Sequence, residues 1–218
     1  MGWTIPIRDK VKAIVGALEG RWRPLLLTAI FTGLRASERR GLRWTDIDFA
    51  KHELKVHQRA DRFKVIGAPK STSGERTVPI PPIVVNALKE WKLACLKGEL
   101  GLASPNSAGK VEEHGNILKR GLQPTLIRAG VTMDSGEKDA DGNPMLVAKY
   151  PGLHSLRHFF ASWCINRKED GGLGLPPQTV QDRMGHSTIA LTMDRYSHLF
   201  PKGDDRDEMA AAEAALLG

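Results

Sequence analysis

Apolar side chains recur at helical spacing along most of this chain, and that periodicity constrains its fold more than any other feature. Ile7, Val11, Ile14, Val15 and Leu18 fall at i, i+4, i+7, i+8 and i+11, the stripe that one face of a helix buries. Pro6 stands ahead of them at a first-turn position. Pro24 opens a second helix through Leu25 to Ile30, which Gly33 ends. The stretch from Pro24 to Phe31 is core-sized and well short of the roughly 18 apolar residues that a membrane span needs. A third helix begins near Ala36-Ser37-Glu38 and closes at Gly41, and Trp44 to Asp48 read as a turn. Pro81-Pro82 start another helix through Ile83, Leu88, Trp91 and Cys95. In the last third, His154 to Arg167, Pro177 to Met184 and Ile189 to Leu199 read as helices. From Asp204 the tail combines an acidic start, which suits a helix dipole, with Ala and Leu.

The strands are few. Glu53 to Gln58 alternates apolar and polar residues, and Arg76 to Ile80 is rich in Val, Thr and Ile. Between them Lys70-Ser71-Thr72-Ser73-Gly74 has the composition of a hairpin tip. Residues 98–110 and 133–144, rich in Gly, Ser, Asn and Asp, read as surface loops. Asp134, Asp139 and Asp141 in the second lack the calcium-loop pattern, so a solvated loop is the better reading. The fold class expected is therefore mainly α with a small antiparallel β-sheet, an α+β arrangement.

Charge is unevenly spread. Residues 1–80 carry a balance of +8, residues 81–200 of +2 and residues 201–218 of −3, within a total of +7. Cations concentrated in the first third suit either a polyanion-facing surface, nucleic acid above all, or a merely soluble basic face. Cys95 and Cys164 make no disulfide framework and sit in no metal-ligand spacing. Met1-Gly2-Trp3 starts no secretory signal. A reducing, cytoplasmic setting is the simplest expectation, with no membrane association.

Four short stretches gather cations, imidazoles and a phenol: Thr32-Gly33-Leu34-Arg35-Ala36-Ser37-Glu38, His154-Ser155-Leu156-Arg157-His158, Met184-Gly185-His186-Ser187, and Asp194-Arg195-Tyr196-Ser197-His198. Arg35 projects from a helix start, where Glu38 can hold it or cap the turn. His154, Arg157 and His158 share one helix face, a poor core stripe and a good phosphate-facing one. A zinc reading fails there, because no Glu base stands between the histidines and the arginine would repel the ion. A lone tyrosine is more often a half-buried aromatic than a nucleophile, and it is the combination that matters.

In that order, with G-L-R-W-T-D-I-D and R-T-V-P-I beside them, these stretches resemble the catalytic domain of the tyrosine recombinases, the phage integrase family, from about Leu25 to Leu199. The resemblance implies that Arg35 and Arg157 clamp a scissile phosphate, that His154 and His186 are the two active-site histidines, and that Tyr196 is the nucleophile. It implies a lysine on a β-hairpin, for which Lys70 is the first choice and Lys64 the fallback, and a supporting role for Glu38. Residues 1–200 would be the catalytic domain and 201–218 a tail helix. The core-binding domain that usually precedes the catalytic one has no counterpart here, so the chain reads as a piece of a longer protein or as a naturally short one.

The implied reaction is metal-independent strand cleavage and rejoining in double-stranded DNA through a 3′-phosphotyrosyl link, with no cofactor. Fixed guanidinium groups stabilise the charge that builds on the five-coordinate phosphorus. Tyr196 needs help to lose its proton, expected from His154; His186 would bond a phosphate oxygen, and Lys70 would protonate the leaving 5′-oxygen. The implied partners are other recombinase protomers in a tetrameric synapse, the isolated domain being a monomer, in a prokaryotic or phage setting. A type IB topoisomerase-like relaxation and a catalytically idle DNA-binding module are the alternatives. A hydrolase is disfavoured because no G-x-S-x-G elbow occurs.

Overall fold

The computed structural model describes residues 5–200 and 205–217, with side chains in the last segment from Met209 onward. Helix α1 (Arg8–Gly16) starts two residues after Pro6 and buries Val11 and Ile14. Helix α2 (Trp22–Thr32) is apolar on every side, and a helix of that kind can only be central. Pro24 to Ile30 are all buried, with α2 packed between α4 (Pro82–Ala94) and α7 (His154–Ile165). The short helix α3 (Ala36–Gly41) follows at once.

Three strands, β1 (Ile47–Asp48), β2 (Glu53–Val56) and β5 (Arg76–Pro79), make an antiparallel sheet in the order β1-β2-β5. Leu54 is paired with Val78 and with Ile47, so the alternation seen in the sequence puts all three on the core face. The stretch Lys70 to Gly74 is not the hairpin tip expected of it. A separate hairpin, β3 (Arg59–Ala60) and β4 (Ile66–Gly67), occupies the connection, and its tip is 61–65. Lys70 lies beyond β4, exposed, ahead of a 3-10 turn at Thr72–Gly74 that feeds β5.

The segment 114–128, which carries no strong sequence signal, is helical. Helix α5 (His114–Asn116) runs through a π-helical stretch at Ile117–Leu122 into α6 (Gln123–Arg128). Residues 133–144 are not a loop either: β6 (Thr132–Lys138) and β7 (Pro144–Ala148) form an antiparallel hairpin. Its polar composition reflects exposure on both faces, and Asp139 is used in the turn, its carboxylate accepting from the Asp141 and Asn143 amides. Residues 98–110 are irregular as expected, yet Leu102 and Ala103 are buried.

Helices α8 (Pro177–Met184) and α9 (Ile189–Tyr196) complete the body, with a 3-10 turn at Ser197–Leu199. Helix α10 (Asp205–Leu217) follows; Asp204, from which a tail helix is expected, lies outside the described residues. Cys95 and Cys164 are buried free thiols. No helix among the described residues is long and apolar enough to cross a membrane.

Candidate active site

The site is built around the C-terminal end of α8. Three successive carbonyls there each receive an arginine: Arg183 O from Arg76 Nε at 2.9 Å, Met184 O from Arg157 Nη2 at 2.5 Å, and Gly185 O from Arg35 Nη2 at 2.8 Å. Those carbonyls have no partner within the helix and form the negative end of its dipole, so they are natural acceptors for guanidinium groups. The Gly185 backbone is left-handed, at φ 62°, and a Cβ there would lie 2.7 Å from Arg76 Nη1. The glycine in Met-Gly-His is thus required both by the turn and by the arginine beside it.

Arg35 reaches this point because α2 stops at Gly33, whose φ is 61° and whose added Cβ would collide with Phe160 at 2.4 Å. Arg35 is then the extended residue that begins α3, its amide donating to Glu38 Oε2 at 2.8 Å and its Nη1 to Glu38 Oε1 at 2.7 Å. Arg157, from the first turn of α7, also donates to the Gly33 carbonyl. Arg35 and Arg157 line one cleft of about 190 Å³ together with Leu34, Leu153, His154 and His114.

Glu38 is the carboxylate beneath the arginines. Burial would raise its pKa, but Arg76, bonded at 2.9 Å, and Arg35 outweigh that and hold it at about 2. Arg157 is 4% exposed, and burial with the nearby Arg35 and Arg76 brings it down to about 9, so it stays charged at neutral pH. Arg35, Arg76 and Arg157 against one carboxylate leave a fixed positive excess, the electrostatics of an anion site.

Tyr196 ends α9 with its side chain 1% exposed. Burial raises the phenol's pKa, opposed by Arg157 and Arg195. Its hydroxyl is 2.6 Å from His158 Nδ1, and its ring stacks on His186 at 6.4 Å with 4° between planes. Burial, then His154 and two arginines, lower His158 to about 4, so the ring is neutral and shares one hydrogen bond with the phenol through Nδ1. His154 had been expected to assist Tyr196; here the phenol meets the other histidine of the same helix face, and His154 stands edge-on to His158 at 4.7 Å. His154 opens to solvent at the cleft, and the part of its ring that packs on the protein, together with Arg157, lowers its pKa.

His186 has Nδ1 2.9 Å from Thr192 Oγ1, while its buried Nε2 has no partner among the described residues. Burial and the arginines, Arg157 first, hold this ring at about 3 and therefore neutral. Lys70 is not part of the cleft lining, and Lys64 is engaged with Glu113 at the β3–β4 hairpin. Arg35, His154 and Arg157 are thus brought together, with Glu38 below and His186 and Tyr196 behind, and the lysines are left at the periphery.

Sequence reasoning missed Arg76 and Thr192 and gave His158 a place on the phosphate-facing helix face but no task of its own. Arg76 was legible: it shares its strand face with buried Val78, and an arginine on a core face demands a carboxylate. Thr192 lies six residues after His186, across a turn, and no spacing rule flags it.

Comparison with known proteins gives the family. The model of the phage integrase family matches residues 8–202. The chain belongs to the phage integrase family. Among curated relatives, a tyrosine recombinase XerC-like protein of Caldanaerobacter subterraneus subsp. tengcongensis is 31% identical over 219 residues, covering 89% of this chain and 50% of the relative. The ICEBs1 integrase of Bacillus subtilis is 29% identical, covering 84% and 45%. The chain therefore spans about half the length of the curated relatives it matches. Among solved structures, the Tn1549 transposon integrase in complex with transposon right end DNA superposes with a TM-score of 0.69 at 19% identity, covering 99% of this chain and 67% of that one. This family member thus has the helix-rich fold with small antiparallel sheets that its sequence led one to expect.

Proposed function

We propose that this chain is the catalytic unit of a site-specific DNA recombinase, cutting and rejoining double-stranded DNA through a phosphotyrosyl link at Tyr196. The observation that carries the reading is the convergence of Arg35 and Arg157 on one cleft, anchored on adjacent carbonyls of α8, with the Tyr196 phenol packed behind them. In this reading the two arginines bind the non-bridging oxygens of the scissile phosphate. Their charge counts for more as the phosphorus becomes five-coordinate, which is what lowers the barrier. Glu38 and Arg76 are positioning residues, since Glu38 holds Arg35 and Arg76 holds Glu38.

Tyr196 Oη attacks phosphorus, the bond to the 5′-oxygen breaks, and the 3′ end is left joined to the protein. The phenol's proton rests on the hydrogen bond to His158 and passes to His154 as the phenol moves to the cleft. His186, with Nδ1 accepting from the Thr192 hydroxyl, presents an Nε2 donor to a phosphate oxygen. Lys70 supplies the proton of the departing 5′-hydroxyl from its exposed turn. A second 5′-hydroxyl reverses the step, so the link conserves the bond energy and no external energy source enters. The buried phenol belongs to a resting arrangement that DNA must open. The partner protomers of a synapse would receive α10 in an apolar groove of about 640 Å³ lined by Val11, Val15, Phe31, Phe159 and Trp163. Free buried cysteines fit the cytoplasm, where we place the reaction.

The test is Tyr196→Phe. It should bind DNA as the parent does, within about twofold, and form no covalent adduct on nicked suicide substrates drawn from the ends of the protein's own element. Adducts formed by that variant would remove the phenol from the reaction.

A further inference from the structure

His114 opens α5, an element to which the reading above gives no task. Its ring nonetheless lines the same cleft as Arg35, His154 and Arg157. Its Nδ1 is buried and has no hydrogen-bond partner among the described residues, so Nε2 is the ring nitrogen left to meet a ligand in the cleft. Arg39, on α3 and 2% exposed, likewise leaves Nε and Nη2 without partners, so a further cation beside this wall has unmet donors. Burial and the fields of Arg39 and Arg40 hold the His114 ring below the ordinary imidazole value. A neutral ring carries one N–H and one lone pair, and the surrounding charge is positive, so the ligand that suits it is an anion with oxygen acceptors. The neighbouring acids do not supply one: Glu113 is engaged with Lys64, and Glu38 with Arg35 and Arg76.

We propose that His114 is a further DNA contact in the cleft, donating a ring N–H to a backbone phosphate oxygen beside the ester that Arg35 and Arg157 hold. The inference rests on the recombinase reading, and it widens the site from one phosphate to two. Arg39 stands behind the ring and adds positive potential. His114 is a binding residue here; Tyr196 and the clamp do the chemistry.

The experiment measures binding of a 30-base-pair duplex by fluorescence anisotropy at several salt concentrations, using the whole chain with Tyr196→Phe so that no adduct forms. His114→Ala should weaken binding about tenfold, the loss expected for one hydrogen bond to a charged oxygen. His114→Gln, which keeps an N–H donor, should stay within about threefold of the parent. His114→Glu should be worse than Ala by a further factor of about ten at low salt, with the excess shrinking as salt screens the new charge. Equal affinities for His, Ala and Glu would overturn the proposal, and so would equal losses for Gln, Ala and Glu, which mark a merely structural ring. If the parent itself fails to bind duplex at low salt, it is the recombinase reading that falls. Thermal melts of each variant identify any loss caused by unfolding.

Discussion

Arg157 uses two of its donors on backbone, at Gly33 and Met184, and still lines the cleft. A guanidinium can do both because its planar fork offers five N–H groups in fixed directions. Lysine offers a point charge on a flexible stem, so it can satisfy the carbonyls or face a phosphate, but not in the same geometry. Arg157→Lys and Arg35→Lys should therefore each slow adduct formation by about a hundredfold or more while changing DNA affinity by less than about threefold, as read in single-turnover assays on nicked substrates. Burial also makes the site acid-sensitive. His158 and His186 titrate near 4 and 3 when folded, against 6.5 for an ordinary imidazole. Between these values the unfolded chain binds protons that the folded one refuses, so stability falls as pH drops from about 6.5 toward 4. Each histidine should contribute up to about 3 kcal/mol to that loss. Glu38, held at about 2, adds stability that is present above the ordinary 4.5 and is lost as pH falls from there through 2. Urea melts from pH 7 to 4 should show His186→Gln less acid-sensitive than the parent; an identical slope would mean that the ring is not held neutral. At this scale the sequence identified the charged groups but not their pairing. His154 and His158 lie four residues apart on one helix face, and only the packing of α9 decides which of them meets the phenol.

Elements place these residues by how they end. Gly33 stops α2 and Gly185 stops α8, both in left-handed backbone, and each stop turns the chain so that Arg35 or His186 enters the site. Both glycines could be read in advance, because helix ends of this type are chemically specific. Gly33→Ala must accept an unfavourable φ and displace the Phe160 ring, so it should cost about 2 kcal/mol or more in urea melts. Gly185→Ala presses instead on Arg76, and through it on Glu38, so its stability loss should come with slower cleavage. A Gly185→Ala protein with parental cleavage would detach Arg76 from the mechanism. Elements lacking such punctuation were harder to read. The β6–β7 hairpin is exposed on both faces, so it shows no apolar alternation, only turn residues. Helix formation in 114–128 passes through a π-helical stretch, which breaks the 3.6-residue period that a sequence pattern relies on. His114, whose significance is spatial, sits at the start of just that segment.

For the whole molecule the question is where α10 belongs. Met209, Leu216 and Leu217 are 71%, 84% and 77% exposed, so the tail's apolar side chains gain little from this body. The body in turn carries an apolar groove between α1 and α7, with Phe31 and Leu199 at its walls. Burying an exposed leucine is worth roughly 1.5–3 kcal/mol, so a groove and a helix of this kind attract one another once two copies are held close. In the proposed synapse, protomers side by side on DNA would meet that condition, and free copies in dilute solution would not. Removing 205–218 should therefore leave the thermal midpoint within about 2 °C and binding to a single short duplex within about twofold. If the proposed synapse forms on a duplex carrying paired sites, the same truncation should abolish it, read by gel shift or analytical ultracentrifugation. A drop in midpoint of about 5 °C or more would place the tail against its own body instead, and the groove would then be an internal seat. If stability and assembly both survive the truncation, α10 joins no protomers.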